Sequence, residues 1–202
     1  MSEPAPGGSR AGAIVLAAGF GRRFGSDKRR HTLPDGTRLL FATLQRYAAA
    51  FAEVMVVLRP EDRDLVEDIR AADWAARVQV VLCADARLGM GHSLACGARA
   101  AAQRGWDRLF VALGDMAWVQ PATLAILQDA LANANGPAIV QPVHDGEPGH
   151  PVGFSRDYLP RLMALSGDQG ARPLVRGAAA GLIRVPVVDA GVLEDLDTPP
   201  TD

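Results

Sequence analysis

The sequence predicts an α/β domain of three layers, a mostly parallel sheet with helices on both faces, and three observations predict it. Short, largely β-branched apolar runs recur at residues 13–17, 54–58, 78–82, 109–113 and 138–140, which is how strands buried on both faces read. Segments with helical spacing separate them, so right-handed crossovers should join parallel strands. The residues with chemistry to offer follow the ends of these runs, where an open parallel sheet places its ligands. At 202 residues the chain is long enough for one such domain with a substantial core.

Residues 1–12, MSEPAPGGSRAG, are rich in Pro, Gly and Ser and lack the apolar core of a signal peptide. We read them as a flexible tail and residues 13–202 as a single domain. After the first run comes LAAGFGRRFGSDK, residues 16–28. A strand running into a glycine-rich turn brings bare backbone N–H groups to a phosphate, and Arg22, Arg23 and Lys28 add fixed positive charge. The dinucleotide fingerprint fits poorly, because Gly25 falls one residue late after Gly19 and Gly21. The mononucleotide P-loop fails, since Asp27 precedes Lys28 and Arg29 follows it. A basic surface turn would be the ordinary alternative, but it has little need of three glycines and a preceding Ala-Ala.

Residues 39–51 carry apolar side chains at three- and four-residue spacing, residues 61–72 open with acidic groups after Pro60, and residues 93–103 are Ala-rich. All three predict helices. Pro121 marks the first turn of another. Between them, Gly114-Asp115-Met116 ends the fourth run. A carboxylate there can hold a hard cation such as Mg²⁺ that bridges nucleotide phosphates. A helix N-cap is the alternative role for Asp115, but Pro121 starts the next helix several residues later. Residues 141–154, QPVHDGEPGHPVGF, read as a Gly- and Pro-rich excursion added to the sheet, of the kind that forms the acceptor side of a cleft. A helix near residues 158–165 and a strand at residues 182–188 close the chain.

The net charge of −2 gives no footprint for nucleic acid, and no run is long enough to cross a membrane. Cys83 and Cys96 offer neither a metal spacing nor a disulfide framework, which suits a reducing cytoplasm. No Ser-His-Asp or Cys-His grouping exists; His31 and His144 read as loop residues, while His92 and His150 flank possible ligand loops. Trp74, Trp106 and Trp118 read as packing residues, Cys96 as a small core hydrophobe, and Arg87 as the one arginine of its region able to approach a nucleotide.

Taken together, LAAGFGRRFGSDK, LGMGHSLACGA, LFVALGDMAW, GHPVGFSRDYLPRLMALSGDQGARPLV and LEDLDTPPTD resemble, in that order, the motifs of the molybdenum cofactor cytidylyltransferase and guanylyltransferase family. The resemblance implies a Rossmann-like nucleotidyltransferase fold and transfer of a nucleoside monophosphate from a triphosphate to the terminal phosphate of molybdopterin, releasing pyrophosphate. It implies that Leu16, Ala17, Ala18, Gly19 and Gly21 line the nucleotide, that Arg23 and Lys28 neutralise its phosphates, that Asp115 holds Mg²⁺, and that Ser93 borders the nucleotide. His150, Asp168 and Arg172 lie in the blocks that face the acceptor, and a molybdoenzyme receiving the product is a further implied partner. The motif's Asp-x-Pro is Asp115-Met116-Ala117 here, which touches turn geometry more than chemistry. Residues 29–40, RRHTLPDGTRLL, are longer and more basic than the family's linker, either a solvated loop or an altered acceptor contact. Leu16-Ala17-Ala18-Gly19 resembles the cytidine enzymes, whereas Asp27-Lys28 resembles the guanosine branch. We weight the former, since it should lie nearer the base, and expect CTP. The rival expectations are a nucleotidyltransferase that activates a sugar or alcohol phosphate, and a non-catalytic chaperone that holds nucleotide or cofactor.

Overall fold

A computed structural model describes residues 10–20, 27–178 and 180–196 of the chain. Strands β1 (Ala11–Leu16), β2 (Glu53–Leu58), β3 (Val78–Leu82) and β4 (Arg108–Leu113) run parallel in the spatial order β3-β2-β1-β4. Ile14 stands between Met55 and Val111 in the register. The remaining strands are β5 (Ile139–His144), β6 (Glu147–Pro148), β7 (Val152–Ser155) and β8 (Leu182–Pro186). β7 pairs antiparallel with both β4 and β5, β6 pairs antiparallel with β5, and β8 lies parallel to β5.

Helices α1 (Leu39–Ala50), α2 (Arg63–Arg70), α3 (Met90–Gln103), α4 (Pro121–Ala132), α5 (Leu159–Met163) and α6 (Arg172–Gly177) cover the sheet. The two-residue period of β1 and the turn after it sorts them into two layers. Ala13, Val15 and Ala17 pack with Leu44 of α1, Leu65 of α2 and Leu127 of α4. Ile14, Leu16 and Ala18 pack with Leu94 of α3, Leu162 of α5 and Leu174 of α6. Each leucine buried in either layer stabilises the fold by about 2 kcal/mol. The expected three-layer α/β architecture is therefore present. Among the described residues no helix is long and apolar enough to cross a membrane.

Three expectations need correction. β1 begins at Ala11, so residues 11 and 12 belong to the sheet and not to the tail. Gly12 allows this, because the buried ring of Trp106 occupies the space its Cβ would need. β3 is not buried on both faces; it is the edge strand, and Leu82 is 51% exposed. The excursion at residues 141–154 is largely strand. β7 is inserted between β4 and β5 at the centre of the sheet, with Gly153 letting the ring of Phe110 lie against its backbone. One turn-like piece survives inside it. Val140 pairs with Gly153 and Val143 with Pro148, so two residues of β5 face four on the returning arm, which bulges at residues 149–151.

Candidate active site

The carboxyl ends of the parallel strands deliver four loops to one edge of the sheet: residues 17–20, 59–62, 83–89 and 114–120. Leu16, Ala17 and Ala18 are buried, and Gly19 is the first residue to emerge, with open space where a Cβ would stand. The methyl of Ala18 belongs to the apolar layer on the α3 side. Gly21 and Arg23, together with Arg22 and Gly25, lie outside the described residues.

Lys28 opens a short 3₁₀ turn, residues 28–30, whose first N–H groups Asp27 caps through Arg29 N. That turn carries Lys28 across to Asp115 at the end of β4, and the two side chains form an ion pair. Asp115 is only 7% exposed and does not cap a helix. α4 starts after Gln120, and its first turn is held instead by Asp189, whose carboxylate accepts from Gln120 N at 2.8 Å and Thr123 Oγ1 at 2.7 Å. Among the described residues no three or more His, Cys, Asp or Glu side chains gather into a metal-holding group. A lone buried carboxylate such as Asp115 is a hard oxygen donor of the kind that Mg²⁺ takes alongside water.

The bulge at residues 149–151 brings His150 to the same place. Its ring faces the Val111 carbonyl, within the electrostatic reach of Arg172 and Asp115, and its buried Nδ1 has no hydrogen-bond partner among the described residues. Burial, with the charge of Arg172 adding to it, holds the imidazole below its ordinary pKa against the opposing pull of the Val111 carbonyl and Asp115. In His150 the charged form is thus disfavoured, and a buried polar atom is left without a partner among the described residues.

A second cluster forms at the start of α3. Gly89 adopts φ +119°, open to glycine alone, and the Asp168 carboxylate lies against it. Gly91 N donates to Gly167 O at 2.7 Å, and Gly167 N donates to His92 Nδ1 at 3.2 Å. No Cβ would fit at Gly91, where the Ser166 carbonyl approaches at 2.5 Å. The Ser166–Gly170 loop is thereby docked onto the turn that carries Ser93, which is buried. So the structure joins Lys28, Asp115, His150 and Arg172 in one group, and Asp168 with the Ser93 turn in another. Arg87 points to solvent, with a side chain 75% exposed beside Glu61. Cys83 and Cys96 are free thiols whose sulfurs reach the His92 and Leu82 carbonyls, tying β3 to α3.

Sequence reasoning missed Arg29, Asp62 and Arg59. Arg29 is 4% exposed and makes a two-pronged contact with Asp62, which the sequence offers as a helix-opening acid. A basic residue beside Lys28 reads as solvated until the carboxylates around it are placed.

The chain belongs to the family of the MobA-like NTP transferase domain, whose pattern it matches over residues 13–182. It is 28% identical over 194 residues to the purine catabolism protein PucB of Bacillus subtilis strain 168, a match covering 92% of this chain and 91% of that one. The Rv0371c homolog of Mycobacterium sp. strain JC1 superposes with a TM-score of 0.76 at 30% identity, covering 94% of this chain and 91% of that one. A manganese complex of Rv0371c from Mycobacterium tuberculosis H37Rv superposes with a TM-score of 0.68 at 27% identity, covering 89% and 88%.

Proposed function

We propose that this protein transfers CMP from CTP to the terminal phosphate of molybdopterin. An oxygen of the acceptor phosphate attacks the α-phosphorus, the bond to the bridging α–β oxygen breaks, and pyrophosphate leaves. The observation that carries this reading is the meeting of Lys28, on the 3₁₀ turn at residues 28–30, with Asp115 after β4, with His150 and Arg172 beside them.

The nucleophile is already an anion, so the site needs no strong base; it needs positioning and charge neutralisation. Lys28, with Arg23, neutralises the triphosphate, and Gly19 and Gly21 let the backbone approach it. Asp115 would hold Mg²⁺, which supplies Lewis-acid stabilisation of the phosphate charge. Leu16, Ala17 and Ala18 back the nucleotide and Ser93 borders it. Arg172 pairs with the acceptor phosphate, and Asp168 fixes the loop that carries the acceptor contacts. A neutral His150 does not transfer a proton in this scheme. With one ring nitrogen turned to Val111, its Nδ1 accepts a hydrogen bond from the acceptor. A molybdoenzyme would take the product.

Two other readings stay distinct from this one. Activation of a sugar or alcohol phosphate would use the same nucleotide side with a different acceptor, and a chaperone would bind without turnover. Pyrophosphate release from CTP, GTP or ATP, each with purified molybdopterin or a panel of sugar phosphates, separates them. Release with molybdopterin supports the proposal; release with a sugar phosphate alone, or none at all, overturns it.

A further inference from the structure

Arg29 has no role in that scheme, yet all five of its N–H donors are used. Nε donates to Asp27 Oδ1 at 2.7 Å and Nη2 to Asp27 Oδ2 at 2.7 Å. Nη1 and Nη2 donate to Asp62 at 2.6 and 2.8 Å, and Nη1 donates again to the Ala17 carbonyl at 2.8 Å. Asp62 in turn accepts from Arg59, from its backbone N at 3.0 Å and from Nη2 at 2.7 Å. Arg59 and Arg29 alternate with Asp62 and Asp27, so the group carries no net charge. Burial raises the Asp62 carboxyl pKa, but Arg29 and Arg59 outweigh it and hold the group well below the ordinary carboxylate range.

The connections matter more than the count. Ala17 lies at the end of β1, on the stem that enters the glycine-rich turn, and Asp27 is on the stem that leaves it. Arg59 also lies over the ring of Phe20, 4.8 Å from its centroid. Both stems are thus fastened to the loop after β2, and Lys28 sits between two residues of the fastening. Asp62 stands at the N-terminus of α2, yet its side chain makes no capping bond there and is turned to the two arginines.

We propose that the Arg29–Asp62 pair positions Lys28: it ties the Ala17 end of β1 and the 3₁₀ turn at residues 28–30 to the loop after β2, so that Lys28 stays opposed to Asp115. Arg29 and Asp62 are positioning residues. They touch Lys28's backbone neighbours and not the reacting atoms. The proposal rests on the nucleotide reading above, although the stem-holding part of it can be measured without any nucleotide.

A purely structural ion network predicts something different, because an apolar pair of similar volume often replaces a buried ion pair without loss of stability. The test compares the unaltered protein, the double variant Arg29→Met/Asp62→Leu, and Arg29→Lys. A lysine keeps the charge but has one nitrogen, which cannot span both carboxylates and the carbonyl. Four properties are read: urea unfolding, calorimetric binding of CTP and GTP with Mg²⁺, kcat/KM for pyrophosphate release, and amide exchange at Arg30 and His31, whose N–H groups close the 3₁₀ turn onto Asp27 and Lys28. The expected result is a double variant that unfolds near the normal midpoint, exchanges those two amides faster, and shows a kcat/KM lower by about 100-fold with nucleotide binding weakened in step. Arg29→Lys should not rescue it. Unchanged exchange and binding in a folded double variant would overturn the proposal. Should the double variant not fold, Arg29→Lys gives the same comparison, since it keeps a cation beside Asp27 and Asp62 but cannot span both. If the unaltered protein binds no nucleoside triphosphate while exchange still responds to the variants, the nucleotide reading fails and the anchoring of the turn stands.

Discussion

Around the ends of β1, β2 and β4 the charged groups are already paired: Lys28 with Asp115, and Arg29 with Asp27, Asp62 and the Ala17 carbonyl. On the β5–β7 side His150 keeps a buried Nδ1 with no partner among the described residues. On the proposed function, the first half would be built before its ligand arrives and the second completed by it. The difference follows from chemistry. A triphosphate presents the same oxygens whatever its base, so a rigid set of donors serves it, whereas an acceptor has to be recognised by what it alone can satisfy.

The sharpest way to break this contrast is to remove one partner of the paired side. Asp115→Asn and Lys28→Ala should each lower turnover by roughly 100- to 1,000-fold in a folded protein, as loss of a preorganised charge-stabilising group does, and a chelator should abolish activity. Steady-state kinetics beside circular dichroism would check both. Equal turnover in excess chelator would remove the metal role of Asp115.

Altering the unpaired side should act on the other substrate. His150→Ala should raise KM for the acceptor about tenfold, the worth of one hydrogen bond to a buried group, and leave calorimetric binding of the nucleotide unchanged. A loss of nucleotide affinity instead would erase the division between the halves.

A smaller effect concerns pH and the paired side alone. Asp62 titrates lower in the folded chain than in the unfolded one, where a carboxyl ionises at about 3.9. As pH falls, the unfolded chain takes up the proton first, so this contribution is complete above about pH 5 and is lost progressively below about 4. Urea unfolding across that range should show the decline, and Asp62→Asn should flatten it.

The smallest expected change tests the base. Because the Ala18 methyl packs into the apolar layer on the α3 side, Ala18→Gly acts only through backbone freedom. It should alter the ratio of CTP to GTP affinity by no more than about two- to fivefold. A complete switch to GTP would show that the methyl itself reads the base.

What was legible in the sequence follows the same division. The central parallel strands β1, β2 and β4 were readable because burial on both faces leaves nearly unbroken apolar runs, and Asp115 was readable as a carboxylate stranded at the end of one. β7 was not, because a strand written Val-Gly-Phe-Ser beside His150-Pro151 has the composition of a loop; its place in the sheet depends on Phe110 lying against Gly153. Arg29 was hidden for another reason. Besides Asp27 two residues away, its partners stand at Ala17 and Asp62, and only folding brings those onto one guanidinium. Asp62 carried a helix-start signature that the fold puts to a different use.

The central claim is that the group formed by Lys28, Asp115, His150 and Arg172 joins a nucleotide to a phosphate anion. Its most direct measurement is pyrophosphate release from CTP by the purified protein with Mg²⁺ and molybdopterin, followed by mass analysis of the product. The account predicts one pyrophosphate for each molybdopterin that gains a CMP, with no release when either substrate is withheld. CTP consumed without a CMP-bearing product, or turnover with a sugar phosphate but none with molybdopterin, would contradict it.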